Sequence, residues 1–252
     1  MRVLAVSPHL DDATFSAGAT LAALADAGHE VTVVTCFTRS VPDPTGFALA
    51  CQLDKGLPPD VDYLALRRAE NAAAVAVLGA VPVDLDLAEA PHRGYTSAPD
   101  LFAGVHPGDD VWRQVADRLT PMTAADLWLA PQALGAHVDH LQVLRAVASL
   151  DRPVLWWRDS PYVLRQPDAV PRAPLPAGLT PVTLAQRADR RADACACYAS
   201  QLGFQFGGEA PMRTALAGLT EELLAGPAAR AVLAAERAQS GGRTQVSLLP
   251  PP

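Results

Sequence analysis

The chain opens with a short apolar run, Arg2-Val-Leu-Ala-Val, which stops at Ser7-Pro8. His9, Asp11 and Asp12 follow at once, and then a helical pattern begins. An apolar run this short suits a strand buried on both faces of a parallel sheet. From 14 to 27, Phe15, Leu21 and Leu24 recur at helical spacing among alanines, and Gly28 closes the segment. Residues 31–36 read as a second buried strand, which makes a βαβ unit with a right-handed crossover. An imidazole and two carboxylates thus stand at the carboxyl end of a buried strand, where α/β proteins carry their ligand sites.

The rest of the chain continues the alternation. Residues 38–60 have no clear period and are expected to form a long loop. A helix is predicted over 62–78, with Arg67, Arg68 and Glu70 on it, and a strand over 81–87. Residues 89–108 read as a polar loop holding His92, Arg93, Tyr95 and His106. A helix over 109–119, a strand over 126–131, a helix over 138–148 and a strand over 153–157 follow. Five prolines in 165–181 predict an irregular connection. A helix is expected over 184–202, a break at 203–208, and helical stretches over 212–225 and 227–238. The predicted class is α/β, a Rossmann-like doubly wound, mainly parallel sheet of five or more strands with flanking helices. One domain is expected over 1–238, with a loosely held tail at 239–252.

Composition narrows the partners. Half of the residues are hydrophobic, enough for a large core, and the net charge is -7. Nucleic acid and anionic membranes are poor partners for such a chain. The opening lacks a signal-peptide pattern, and no run approaches the roughly 18 apolar residues of a membrane span. A cytoplasmic protein is expected, a homo-oligomer being compatible with the sequence. Cys36, Cys51, Cys195 and Cys197 form neither a disulfide framework nor a zinc-binding pair, so they read as free thiols.

In a doubly wound sheet of order 3-2-1-4-5, the first and fourth strands are neighbours at the topological switch point. His9, Asp11 and Asp12 then meet His137 and His140, which follow the fourth strand. Imidazoles and carboxylates together suit a borderline divalent metal, typically three protein ligands and a water. A carboxylate left over could take a proton from that water, and a histidine at the rim could donate one or stabilise an oxyanion. Either aspartate also stands where a helix N-cap belongs. Asp139, at the start of a helix, complements its dipole. Arg93 and Tyr95, on the same sheet edge, are candidate substrate contacts. Arg67 is another, unless it pairs with Glu70.

Ser7-Pro8-His9-Leu10-Asp11-Asp12, with Ala17-Gly18-Ala19-Thr20-Leu21-Ala22 and Gly28-His29-Glu30-Val31, resembles the opening of the PIG-L/LmbE family of zinc-dependent N-deacetylases. Gly135-Ala136-His137-Val138-Asp139-His140 resembles that family's second histidine motif. Arg67 with Glu70, and Tyr198-Ala-Ser200-Gln201, match further stretches, so the resemblance covers 1–205. It implies zinc, or another divalent transition metal, held by His9, Asp12 and His140. It implies Asp11 as general base and His137 as electrostatic or general-acid partner. The implied substrate is a small N-acyl amine, N-acetyl and sugar-derived. The commoner family opening is His-Pro-Asp-Asp-Glu; Leu10 and Ala13 depart from it and mark a variant branch. A nucleotide- or sugar-nucleotide-binding Rossmann protein is the competing reading, with a non-catalytic relative behind it. No Gly-x-Gly-x-x-Gly follows the first strand, and two carboxylates would repel a pyrophosphate.

Overall fold

The computed structural model describes residues 1–239 and 246–248. The first half alternates as expected: β1 (Arg2–Ser7), α1 (Asp12–Asp26), β2 (Glu30–Phe37), α2 (Gly46–Leu53), α3 (Tyr63–Val77), β3 (Val81–Leu87) and α4 (Val111–Leu119). Then come β4 (Leu127–Pro131), α5 (Val138–Ser149), β5 (Val154–Trp157), α6 (Tyr162–Arg165), β6 (Thr180–Leu184), α7 (Ala188–Ala196) and α8 (Ala199–Phe206). The described chain ends with α9 (Glu209–Ala217), β7 (Leu223–Ala225), α10 (Pro227–Gln239) and β8 (Val246–Leu248).

The strands form one sheet in the order β3-β2-β1-β4-β5-β7-β6-β8. The first five are parallel and stand in the order the sequence predicts. Three short antiparallel strands extend the sheet beyond β5. β1 lies at the switch point, with Val31 opposite Val3 on one side and Leu127 opposite Val3 on the other. Its side chains alternate between two cores. Val3 and Ala5 pack with Phe15, Leu78 and Leu155, whereas Leu4 and Val6 pack with Val115, Trp128 and Val147. Helices cover both faces of such a strand, which is why it carries no polar face. Among the described residues no helix is long and apolar enough to cross a membrane. All four cysteines are free.

Four expectations fail, each for a physical reason. The 38–60 segment contains α2, whose only buried residue is Gln52. Phe47 and Cys51 line a cavity instead of the core, so a core-facing stripe is missing. The helix expected over 184–202 is a strand ending at Leu184, followed by α7 and α8. The chain turns between these helices at Tyr198, which is fully buried and hydrogen-bonded to Thr14 and Asn71 at 2.9 Å each. Gly203 lies inside α8, and the left-handed Gly207 ends that helix instead. The helix expected over 212–225 stops at Ala217, and Leu223–Ala225 is a strand wedged between β5 and β6. Three residues are too few to show a period. Of the tail, 240–245 and 249–252 lie outside the described residues, and Val246–Leu248 pairs with β6.

The far ends of the fold are joined by a buried ion pair. Arg191 on α7 donates to Glu221 at 3.0 Å, and neither side chain is exposed. The same guanidinium donates to the carbonyls of Leu216 and Leu219. Glu221 also accepts the N–H groups of Ala19 and Thr20 in α1, at 2.8 and 2.7 Å. Gly18 leaves room for the arginine stem; a Cβ there would sit 3.2 Å from Arg191 Cγ. Removing one member of such a pair strands the other charge in the interior. Glu221→Ala should therefore cost about 3–5 kcal/mol in urea-induced unfolding. A loss below about 1 kcal/mol, the worth of a surface pair, would contradict this reading.

Candidate active site

The turn after β1 is closed by a serine. Ser7 Oγ donates to the His9 carbonyl at 2.6 Å and accepts the N–H of Ala13 at 3.0 Å. It thereby satisfies a helix-start N–H that Asp11, at the N-cap position, leaves alone: the Asp11 side chain makes no cap bond. Both aspartates are free for other work. Asp12 Oδ2 accepts the His9 N–H at 2.8 Å and lies 3.1 Å from His9 Nδ1.

The second half of the site comes from the loop between β4 and α5. His140 Nε2 reaches the same Asp12 Oδ2, at 3.2 Å. His9, Asp12 and His140 therefore present one nitrogen or oxygen each to a common point, all within 4.8 Å of one another. The outer ring nitrogens face buried carboxylates. His9 Nε2 lies 2.9 Å from Asp139, and His140 Nδ1 lies 2.7 Å from Asp159. These partners hold the outer ring N–H groups, which would leave the inward nitrogens to a cation, as metal-binding imidazoles require.

The electrostatics agree with that chemistry. Burial pulls both imidazoles down, but the carboxylates outweigh it, and His140 is pushed up to about 9 and His9 also rises well above its usual value. Burial pushes Asp12 up, yet the two histidines hold it well below the usual carboxylate range. Two imidazoles and a carboxylate converge here, and that donor set fits a divalent cation. His9, Asp12 and His140 would hold it.

Asp11 faces the same space but has a different partner. Burial raises its carboxyl, and Arg67 of α3, 2.9 Å away, offsets only part of that rise. Arg67 also pairs with Glu89 at 3.0 Å. Its pairing with Glu70 does not occur, because Glu70 accepts from the N–H and hydroxyl of Ser200. His137 caps α5, its Nδ1 accepting the Asp139 N–H at 3.2 Å. Its ring stands edge-on to His9 with centroids 5.1 Å apart. Burial pulls it down to about 3, so it is neutral. A second His/Asp group, His9 with His137 and Asp139, shares the His9 ring with the first.

A cavity of about 260 Å³ opens above these groups. His9, Asp11, Asp12, Arg67, His137 and His140 line it. Arg93 and Tyr95, expected to contact substrate, are not among its lining residues. Arg93 donates to Asp139 at 2.7 Å and to Asp109 at 3.0 Å. Tyr95, 1 % exposed, donates to Asp109 and accepts from the N–H of His106. Their polar groups are used up behind Asp139, which they help to hold. Asp139 itself does more than complement a dipole, since it accepts from His9, Arg93 and the N–H of Ala90. Asp159, just past β5, belongs to no recognised motif. It stands on the same sheet edge as His9, Asp12 and His140, and that position is the signal for it.

Asp159 also holds the strained 132–137 loop by accepting the Leu134 N–H at 3.0 Å. Ala133 and Ala136 there have φ of 58° and 61°, which costs about 1–3 kcal/mol each for a residue with a Cβ. At Gly135 a Cβ would meet the Tyr162 ring at 2.5 Å, so only glycine lets that ring lie against the loop. Asp159→Ala should weaken divalent-metal affinity about 10–100-fold in competition with a chelator. Unchanged affinity would show that the outer carboxylate does not orient His140.

The sequence pattern of the GlcNAc-PI de-N-acetylases (PIG-L) matches residues 4–150, a stretch that contains both halves of this site. The 2'-N-acetylparomamine deacetylase of Streptomyces fradiae is 35 % identical over 177 residues, covering 67 % of this chain; the chain spans 60 % of that enzyme's length. The zinc-inhibited form of teicoplanin deacetylase Orf2 shares the fold with a TM-score of 0.72 and 26 % identity, over 89 % of this chain and 97 % of that one. The A40926 pseudoaglycone deacetylase Dbv21 does so with a TM-score of 0.68 and 30 % identity, over 89 % and 96 % of the two chains. This chain belongs to the PIG-L family of GlcNAc-PI de-N-acetylases.

Proposed function

We propose that the chain hydrolyses the N-acetyl group of an amino sugar carried by a small natural product, with a divalent metal as cofactor. The observation that carries this reading is the convergence of His9, Asp12 and His140 on one point, with Asp11 beside it and a cavity in front. The relatives support it, since their names describe deacetylases of N-acetylparomamine, teicoplanin and the A40926 pseudoaglycone. Zinc suits two imidazoles and one carboxylate, and cobalt, nickel, iron or manganese would also be accepted.

A divalent cation held by His9, Asp12 and His140 would supply Lewis acidity toward the acyl carbonyl and the attacking water. The chain's own groups do the rest. Asp11 takes the proton from the attacking water through the oxygen that Arg67 does not hold. Its raised proton affinity suits a group that must accept a proton and then return it. Arg67 keeps it ionised and oriented, and as a cavity-lining residue it also meets the substrate. His137 receives a hydrogen bond at Nδ1, so its own proton sits on Nε2. That N–H stabilises the carbonyl oxygen as negative charge develops there. When the C–N bond breaks, Asp11 returns its proton to the amine nitrogen. Acetate and the free amine leave.

The test is acetate release from N-acetylglucosamine conjugates by protein loaded with zinc. Asp11→Ala should lower turnover by about 10²–10⁴-fold while metal content stays near one per chain. His140→Ala should lose both metal and turnover. If the zinc-loaded wild type releases no acetate from any N-acetyl amine, the reading is wrong.

A further inference from the structure

We infer that the mouth of the cavity is a subsite for an aromatic aglycone, so that the substrate is an N-acetyl amino sugar bonded to an aryl group. The inference deepens the proposed deacetylation and rests on it. At about 260 Å³, the cavity lies below the roughly 300–1,000 Å³ of sites that enclose drug-sized ligands. One sugar ring, with its acetamido group at the metal site, fills it. Whatever the sugar is attached to must pass the mouth and lie on the rim.

That rim is apolar. Among the described residues, six large apolar side chains are exposed: Leu53, Val81, Phe102, Val105, Val170 and Phe204. Phe102 and Phe204 line the cavity, at 36 % and 57 % exposure. Leu53 and Val105 do not line it, but they neighbour the lining residues Asp54 and Phe102 in sequence. Exposed apolar surface gathered around a concave site marks ligand contact. Phe47 and Leu101 extend it inward.

The rings are also held in place. Phe102 stands edge-to-face on His137, with centroids 5.4 Å apart and planes at 82°. It packs in the same way on Tyr162, at 6.2 Å. Elsewhere in the lining the Lys55 ammonium donates to the Cys51 carbonyl and lies 5.3 Å from the Tyr63 ring and 4.9 Å from the Phe204 ring. The cation thus ties the exposed Phe204 to a buried tyrosine. Fixed rings favour a flat partner, because aromatic pairs gain from stacked and edge-on geometry beyond the area they bury. A bare saccharide would leave these faces in water, and a flexible alkyl chain would gain no ring geometry.

The experiment compares three N-acetyl-β-glucosaminides, 4-nitrophenyl, octyl and methyl, by acetate release from the zinc-loaded protein. Calorimetry on the matching de-acetylated amines reads the subsite without turnover. The expected result is a KM and a Kd about tenfold lower for the aryl compound than for the methyl one, with octyl behind aryl. Phe204→Ser and Phe102→Ser should each reduce the aryl-to-methyl ratio toward one. Phe204 is more than half exposed, so its variant should fold, and its melting temperature checks this. Equal binding of aryl and methyl amines overturns the inference. So does an octyl preference, or an aryl preference untouched in both variants. Tighter aryl-amine binding with no acetate released from any compound supports the subsite and removes the deacetylation.

Discussion

One carboxylate oxygen, Asp12 Oδ2, is where the two halves of this molecule meet. It lies 3.1 Å from an imidazole that follows β1 and 3.2 Å from one that follows β4. The two histidines are 131 positions apart, since 140 − 9 = 131. Only the pairing of β1 with β4 brings them together. That pairing depends on β1 being apolar on both faces, so the chemistry at its end follows from the strand's burial. Each ring is then locked from behind by a carboxylate, Asp139 for His9 and Asp159 for His140. The ends of three neighbouring strands, β1, β4 and β5, therefore converge on a space of metal-ion size.

Such a concentration of negative charge is expensive. Asp11, Asp12, Asp139 and Asp159 are all at least nine-tenths buried, and each isolated buried carboxylate would cost several kcal/mol. The structure offsets this in two ways. Arg67 and Arg93 bring fixed cations to Asp11 and Asp139. Of the other two, Asp12 lies between the imidazoles and Asp159 behind His140, where ring protons or a metal cation can offset them. The strained loop at Ala133 and Ala136 is stabilised by the same network, through Asp159 and the Leu134 N–H. Site and scaffold are thus coupled, and a substitution behind the histidines acts on both.

The parallel half of the fold was legible because each strand is a short apolar run ended by turn residues, and its order is the common doubly wound one. The metal-site candidates His9, Asp12 and His140 were legible for the same reason: they stand where two neighbouring strands end. Less readable were groups whose role depends on a distant partner. Nothing local distinguishes Asp159 from any acid after a strand. Arg93 and Tyr95 lie on the correct edge, yet Asp109 and Asp139 draw them away from the cavity. The helix α2 escaped notice because its apolar residues face a cavity, and β7 because three residues carry no period. In the sequence Ser7 reads only as a strand end, yet its hydroxyl closes the turn and frees both aspartates.

The most direct test of the central claim is the position of the metal. Zinc-loaded crystals, measured on both sides of the zinc absorption edge, would show it by anomalous difference density. The account predicts one dominant peak about 2.0–2.2 Å from His9, Asp12 and His140, with Asp11 near but not bound. A peak on cysteine or at the molecular surface, or density bound by Asp11 in place of Asp12, would contradict it.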